Sequence, residues 1–292
     1  MRKLLITGSQ GLLGGTLLKR KRSSLYEIEA LDRRFYCQPI NEVKLLDEIS
    51  KILPTTIIHC AAITDVDWCE RNTLDCYEVN TKLTSILSKI CNILNIKLVF
   101  ISSTGIYGNW KNSSYIETDK VIPTTVHHRS KFEAENHVKK LVKDYLIIRT
   151  GWLFGGSTEN PKNFIVNRLK EIYAARCEDG ILFANDRQLG NPTYVGDVAD
   201  RVFQLIHDDV NGIYNCVNHG FATRLQYVKA IALAMQIDIE IKHKDFHRIA
   251  PVSNNESATN HNMLKLGYDD LPFWEDSLKA YIDGICIVGQ RN

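Results

Sequence analysis

The sequence predicts an α/β fold, a doubly wound parallel sheet carrying a smaller C-terminal substrate domain. Two observations lead there: five short runs rich in apolar and β-branched residues, and intervening segments whose apolar residues recur at helical spacing. A third is the regular spacing of glycines directly after the first run.

The five runs are Lys3 to Thr7, Ile28 to Asp32, Thr56 to Ala62, Lys97 to Ser103 and Tyr145 to Gly151. Between most of them lie helical patterns such as Leu83, Leu87, Ile90 and Leu94. Strands that alternate with helices imply parallel pairing, because each crossover must carry the chain back across the sheet and cover one of its faces. Residues 1–150 form the first domain on this basis. After Gly151 the pattern loosens into loops containing Gly155, Gly156, Asn160 and Pro161. Helical stretches follow from Phe164 to Ala175, Val198 to Ile206 and Leu225 to Ala234, with strands at Ile181 to Ala184 and Gly212 to Asn215. Residues 151–292 therefore read as mainly a substrate-binding region, discontinuous, with some segments returning to the main sheet.

A chain of 292 residues with 44% apolar composition can bury a substantial core without disulfides or metals. Lysine plus arginine number 36 against 34 aspartates and glutamates, a net charge of +2, which gives no footprint for nucleic acid or an anionic membrane. The run Lys19, Arg20, Lys21, Arg22 reads as basic residues complementing a helix C-terminus. Eight cysteines without a Cys-x-x-Cys pair read as reduced core thiols. A first strand beginning at Lys3 leaves no room for a signal peptide, and no apolar run has the length of a membrane span, so the cytoplasm is the expected compartment.

Thr7 is followed by Gly8, Ser9, Gln10, Gly11, Leu12, Leu13 and Gly14, after which a helix begins. Glycine at 8, 11 and 14 provides a tight turn, close backbone approach to a pyrophosphate, and close helix–strand packing. The helix N-terminus adds free N–H groups and the positive end of its dipole. Asp32, at the end of the second strand, stands where an acid can bond an adenosine ribose. Together these predict a Rossmann-like domain holding a nicotinamide dinucleotide. Asp32 argues for NAD(H), since a carboxylate repels a 2′-phosphate; Arg33 and Arg34 argue for NADP(H), since guanidinium groups pair with one. Both coenzymes stay open.

The glycine loop, together with His59-Cys-Ala-Ala-Ile-Thr-Asp-Val-Asp-Trp68, Val79-Asn80, Ile101-Ser-Ser103, Arg149-Thr-Gly-Trp-Leu-Phe-Gly155, Gly190-Asn-Pro-Thr193 and Leu271-Pro-Phe-Trp-Glu-Asp-Ser-Leu278, resembles the extended short-chain dehydrogenase/reductase family. More narrowly, it resembles the dTDP-4-dehydrorhamnose reductase family, through most of the chain. The resemblance implies NAD(P)H-dependent reduction of a nucleotide-linked 4-keto-6-deoxy sugar in polysaccharide biosynthesis, by a Ser/Thr, Tyr and Lys set. It places Ser103 where a hydroxyl bonds the sugar carbonyl and Lys131 where an ammonium holds the nicotinamide ribose.

The tyrosine should stand four residues before Lys131, and position 127 is histidine. His127 can donate a proton as imidazolium, yet the nearby lysine opposes that charge, and imidazole is shorter than phenol. Three readings follow: a reductase in which His127 is the acid, alone or through water; a related sugar-nucleotide epimerase or dehydratase; or a catalytically degenerate dinucleotide-binding regulatory protein. His128 is expected to point elsewhere if the segment is helical.

The resemblance further implies sugar-pocket walls at Val66, Thr104 and Trp152 and a contact from Asn163; packing is the alternative for Val66 and Trp152. Ala61 and Ala62 end the third strand, where small side chains admit the cofactor. Tyr107 and Tyr115 are phenols without the required spacing to Lys131. Asp65, Asp67 and Glu70 lack a metal-ligand pattern and read as helix N-terminal or solvated acids, so no metal is expected. The expected partner is a nucleotide sugar, with a homodimer as the open assembly and neither nucleic acid nor membrane.

Overall fold

The computed structural model describes residues 2–20, 25–37 and 39–289. Lys21 and Arg22 of the basic run lie outside them; Lys19 closes the helix α1 (Leu12–Lys19) as expected, with Arg20 as its C-cap. The central sheet is built from β1 (Arg2–Thr7), β2 (Tyr26–Ala30), β3 (Thr56–His59), β4 (Lys97–Ser103) and β5 (Tyr145–Thr150). Four short strands follow, β6 (Trp152–Phe154), β7 (Ile181–Ala184), β8 (Leu189–Gly190) and β9 (Pro192–Tyr194), before β10 (Gly212–Cys216) returns as the sixth strand of the central sheet. The spatial order is β10-β5-β4-β3-β1-β2, every pair parallel. The strand order reverses between β1 and β3, the place where open α/β sheets bind ligands beyond their C-terminal strand ends.

Two strand ends differ from the sequence-based reading. β3 stops at His59, so Ala61 and Ala62 lie in the loop beyond it, and β2 stops at Ala30, leaving Asp32 to cap a short 3-10 turn at Arg33–Phe35. In both cases the chain leaves the sheet to wrap the ligand end, where ladder pairing stops.

Alternate residues of the strands serve opposite faces. Leu4, Ile6, Ile58, Val99 and Ile148 pack with Leu13 and Leu17 of α1 and with Val198, Val202 and Leu205 of another helix. Leu5, Ile57, Leu98, Phe100 and Ile147 pack with Leu45, Ile49, Leu87, Ile90 and Val138. That period of two, buried on both sides, is what a doubly wound sheet requires. The helices on these faces are α1, α2 (Glu42–Ile52), α5 (Leu83–Leu94), α6 (Val126–Leu141) and α8 (Val195–His207); the short α3 (Val66–Arg71) and α4 (Thr73–Tyr77) pack on Val126 instead, and α7 (Phe164–Cys177) and α9 (Arg224–Ala234) lie in a separate core. Between α4 and α5 the backbone widens into a π-turn at Glu78–Lys82, a distortion that often marks functional sites.

A separate apolar core forms beyond β5. Phe154, Ile165, Ile172, Leu182, Tyr227, Val228 and Ile231 pack there with Trp274 and Leu278. Its small sheets pair β6 with β9, β8 with β11 (Ala222–Thr223), and β7 with β12 (Glu240–His243). α10 (His261–Lys265) packs beside β10, and α11 (Trp274–Gly289) closes the chain. Among the described residues no helix is long and apolar enough to cross a membrane.

Candidate functional site

A cleft of about 700 Å³ opens at the C-terminal ends of β1, β3, β4 and β5 and reaches α9 and the segment around Glu256. On one side lies the glycine loop. Gly8 has φ of +70°, and a β-carbon there would stand 2.6 Å from the Ala61 nitrogen, so only glycine lets the loop settle on the chain leaving β3. A β-carbon on Gly14 would overlap the Gly8 carbonyl oxygen. The loop is closed by Gly11 N–H donating to Gly8 O at 2.9 Å, and Gly8 N–H donates to Tyr36 Oη at 3.0 Å. Gly11 caps α1 without a side-chain bond, so the first-turn N–H groups stay available to an anion.

Lys131 stands on the opposite wall, in the second turn of α6, and is only 4% exposed. Its ammonium lies 4.1 Å from the Phe100 ring centre and makes no hydrogen bond or ion pair with any described residue. Burial lowers it to about 8, partly offset by Glu135. A buried cation without a partner is costly unless something else binds it. Ser103, the last residue of β4, accepts the Gly105 N–H on Oγ at 3.2 Å, which leaves its hydroxyl proton free for an acceptor in the cleft.

Thr125 caps α6, making His127 and His128 the second and third helical residues. Both are buried and both line the cleft, their ring centres 5.0 Å apart. The expectation that His128 points elsewhere is therefore corrected: the cleft wraps the first turn of α6, so neighbours about 100° apart both face it. His127 Nδ1 is 2.9 Å from Ile63 O. Burial, then His128 and Lys131, hold His127 well below the ordinary imidazole range. It is a neutral ring at neutral pH and a poor source of imidazolium.

The loop carrying Ile63 is itself fixed by Asn80, from the π-turn. Asn80 Oδ1 accepts Ile63 N–H at 2.8 Å, and its Nδ2 donates to Ile63 O and to Ser130 Oγ, both at 3.0 Å. Below it, Thr84 donates to Asn80 O, so it accepts from His59 Nε2; His59 Nδ1 then accepts from Thr7, at 2.7 Å. This chain of bonds ties the ends of β1 and β3 to the start of α6.

The remaining sequence-based residues divide. Leu12, Leu13, Ala62, Val66 and Trp152 line the cleft with Gly8, Gly11 and Gly14, while Ala61 is buried directly beneath Gly8. Gln10 borders a second hollow of about 380 Å³ behind the loop, where its carbonyl accepts from Asn160. Asp32, Arg33 and Arg34 are exposed beyond β2 and do not line the cleft; Asp32 accepts the Arg34 N–H and pairs with its guanidinium at 3.3 Å. Thr104 is buried in the 3-10 turn after Ser103 and is not brought to the cleft. Neither is Asn163. It caps α7 through Oδ1, and its Nδ2 bonds Tyr281 Oη at 2.7 Å and the Ser157 carbonyl, leaving nothing for a ligand. Both phenols are likewise engaged away from the site. Tyr107 donates to Asn215 and accepts from Arg149, and Tyr115 donates to Gly108 O.

Other residues enter that sequence reasoning missed. Ser102 Oγ is buried in the cleft wall without a partner. Arg224 stacks 3.4 Å from the Trp152 ring centre, Trp152 Nε1 donates to Glu256 at 2.9 Å, and Lys162 donates to Thr64. Arg248 is clasped by Asp67, which also accepts Ala250 N–H. Asp65 caps α3 and Glu70 accepts Val126 N–H at 2.6 Å, so each acid of that cluster serves a helix end or an arginine. No group of His, Cys, Asp or Glu able to hold a metal occurs among the described residues.

These features have close counterparts. A dTDP-4-dehydrorhamnose reductase from Aggregatibacter actinomycetemcomitans is 32% identical over 213 residues, 73% of this chain and 70% of its own. The crystal structure of a dTDP-4-dehydrorhamnose reductase from Clostridium acetobutylicum ATCC 824 matches with a TM-score of 0.89 at 27% identity, covering 97% of this chain and 99% of that one. The same enzyme from Bacillus anthracis str. Ames, in complex with NADP, matches with a TM-score of 0.89 at 25% identity over 97% and 99% of the two chains. The model of the family described as RmlD substrate binding domain matches residues 1–286, and the chain belongs to that family.

Proposed function

We propose that the protein is an NAD(P)H-dependent reductase of a nucleotide-linked 4-keto-6-deoxy sugar, of the dTDP-4-dehydrorhamnose reductase type. The observation that carries this is the ammonium of buried Lys131, without a hydrogen bond or ion pair to any described residue, set in one cleft with a glycine-loop helix that has no side-chain cap and with the hydroxyl of Ser103. The residues fit a dinucleotide. The loop from Gly8 to Gly14 offers backbone N–H groups to a pyrophosphate, and Lys131 offers a donor and positive charge to a ribose diol. When bound, the reduced nicotinamide supplies the hydride. The relatives named above support the reductase reading, and the NADP complex supports the cofactor class.

The chain's own groups would handle the rest. Ser103 donates to the carbonyl oxygen, where negative charge grows. Val66 and Trp152 wall the sugar, and the half-buried Arg224 and the exposed Lys162, neither paired with a carboxylate among the described residues, suit its diphosphate. In this reading residues 1–150 hold the coenzyme and residues 151–292 mainly the sugar nucleotide, in a cytoplasmic protein for which a homodimer is the assembly to test by sedimentation. Asp32 already pairs with Arg34, so Arg33 is the guanidinium free to favour a 2′-phosphate. Oxidation of NADH and NADPH in the presence of dTDP-4-keto-6-deoxy sugars tests the proposal. Sugar-dependent turnover is expected; bound coenzyme without turnover on any such sugar refutes it in favour of a regulatory binder.

A further inference from the structure

We propose that His128, not His127, gives the proton to the sugar oxygen, because the fold holds these adjacent rings in opposite tautomers. The role of His128 rests on the reductase reading above. The Ile63 carbonyl can only accept, so the proton of neutral His127 sits on Nδ1 and its Nε2 bears a lone pair. Asn80 Nδ2, 3.5 Å from the same Nδ1, has its donors directed to Ile63 O and Ser130 Oγ. His127 therefore presents an acceptor, and adding a proton to it would place a second cation near Lys131.

His128 is arranged the other way. Thr125 Oγ1 accepts the His128 backbone N–H at 3.1 Å, and the one further partner of that hydroxyl among the described residues is His128 Nδ1, at 3.0 Å. Thr125 is fully buried, so its proton goes to Nδ1 and the neutral ring keeps its own proton on Nε2. Protonating His128 at Nδ1 turns the Thr125 hydroxyl into an acceptor, with Glu256 favouring the charge; protonating His127 at Nε2 would keep its Nδ1–H on Ile63 O but set the charge beside Lys131. The ring lies against Gly105, where a β-carbon would overlap Nε2 and Cε1. Gly105 is the residue whose N–H Ser103 accepts, so Nε2 of His128 and the Ser103 hydroxyl flank one turn and face one cleft. Glu256 lines the same cleft and favours the charged ring, against the burial that disfavours it.

In the step, the carbonyl carbon takes a hydride from the reduced nicotinamide and the C=O π pair moves onto oxygen. An O–H bond then forms with the proton leaving Nε2 of protonated His128; the N–H pair stays on Nε2, the remaining Nδ1–H donates to the Thr125 hydroxyl turned to accept it, and water returns a proton to Nε2.

Two measurements test this. Long-range ¹H–¹⁵N spectra of the imidazoles, assigned with His127→Gln and His128→Gln, should show Nδ1–H at His127 and Nε2–H at His128; the reverse assignment overturns the inference. In steady-state assays His128→Ala should lower kcat by about 100-fold or more, the range of general acid catalysis. That loss should exceed the one in His127→Gln, with NAD(P)H affinity kept, and added imidazole should raise the turnover of His128→Ala alone. Wild-type rates in His128→Ala, or a loss unrelieved by imidazole and smaller than that of His127→Gln, overturn the role of His128 only. A wild-type protein that never oxidises NAD(P)H overturns the reductase reading, and the role of His128 falls with it.

Discussion

Lowering the pH from 7 to 5 should destabilise the fold through its neutral buried histidines, and His59 allows the size to be worked out. Its ring is fully buried, bonded on both nitrogens by threonine hydroxyls, and burial followed by Lys131 lowers it to about 3. An unfolded histidine titrates near 6.5, so at pH 5 the unfolded chain has taken up almost a full proton that the native ring refuses. The folded value is the depressed one, so stability is complete above about 6.5 and is lost as pH falls from there toward 3. Over the roughly 1.5 units between 6.5 and 5, at about 1.4 kcal/mol per unit, His59 alone costs about 2 kcal/mol. His127 and His128 are lowered too and act with the same sign. Glu117, raised by burial, acts with the opposite sign.

Urea unfolding at pH 7 and pH 5, in wild type and His59→Gln, isolates the contribution. Most Asp and Glu side chains remain ionised in the unfolded chain above pH 5, and those that do not are common to both proteins and cancel. The drop in unfolding free energy between the two pH values should be smaller in His59→Gln by about 2 kcal/mol. Equal drops in the two proteins would mean that the native ring takes up protons like an exposed one, and the neutral Thr7–His59–Thr84 relay would be wrong.

Three further outcomes follow from the geometry. Gly14→Ala pushes a methyl into the Gly8 carbonyl and should weaken NAD(P)H binding by about tenfold or more, a loss of at least about 1.4 kcal/mol, read by nucleotide fluorescence; unchanged affinity would exclude the loop as the cradle. Lys131→Met removes the charge and donor that the cleft offers the coenzyme while its chain still covers Phe100, so NAD(P)H should bind at least about tenfold less tightly; unchanged affinity would mean that Lys131 does not hold the coenzyme. Glu135→Gln leaves Arg149 without its bidentate carboxylate, the pair being 0% and 3% exposed with bonds of 3.0 and 2.8 Å, and should cost about 3–5 kcal/mol in urea unfolding. A change under about 1 kcal/mol would place that pair among surface-like bridges.

What the sequence made legible was what local chemistry decides. The alternating runs of β1, β3, β4 and β5 declare a sheet buried on two faces, and Gly8, Gly11 and Gly14 declare the loop by their spacing directly after β1, though the close approach that requires Gly8 comes from distant Ala61. Ser103 and Lys131 follow from the family resemblance, and the fold brings both to one cleft. The failures are of two physical kinds. Asn163 and Thr104 sit in suggestive positions, but helix capping and turn formation claimed their polar atoms or buried them, as an Asn before Phe164-Ile-Val could have signalled. Arg224, Arg248 and Glu256 reach the cleft from segments more than seventy residues beyond Gly151, close to it in space alone, so no spacing rule points to them. His128 was misjudged because facing rules for a helix surface do not hold where a cleft surrounds its first turn.

The replacement of a phenol by imidazole at position 127 makes a last prediction decisive for the chemistry. In His127→Tyr the Ile63 carbonyl loses one donor but keeps Asn80 Nδ2 at 3.0 Å, so the loop is not left with an unpaired carbonyl. The longer side chain extends into the cleft on the wall that carries Lys131, whose charge favours the phenolate and so makes the phenol a better acid. The variant should therefore turn over the sugar at least as fast as wild type, and the proton should no longer have to come from His128. The double variant His127→Tyr with His128→Ala separates the two sources. It should stay active where His128→Ala alone is slow, because one acid replaces the other. A double variant as slow as His128→Ala would mean that no phenol at 127 reaches the sugar oxygen, and that the imidazole packed on Gly105 is the acid this cleft is shaped to use.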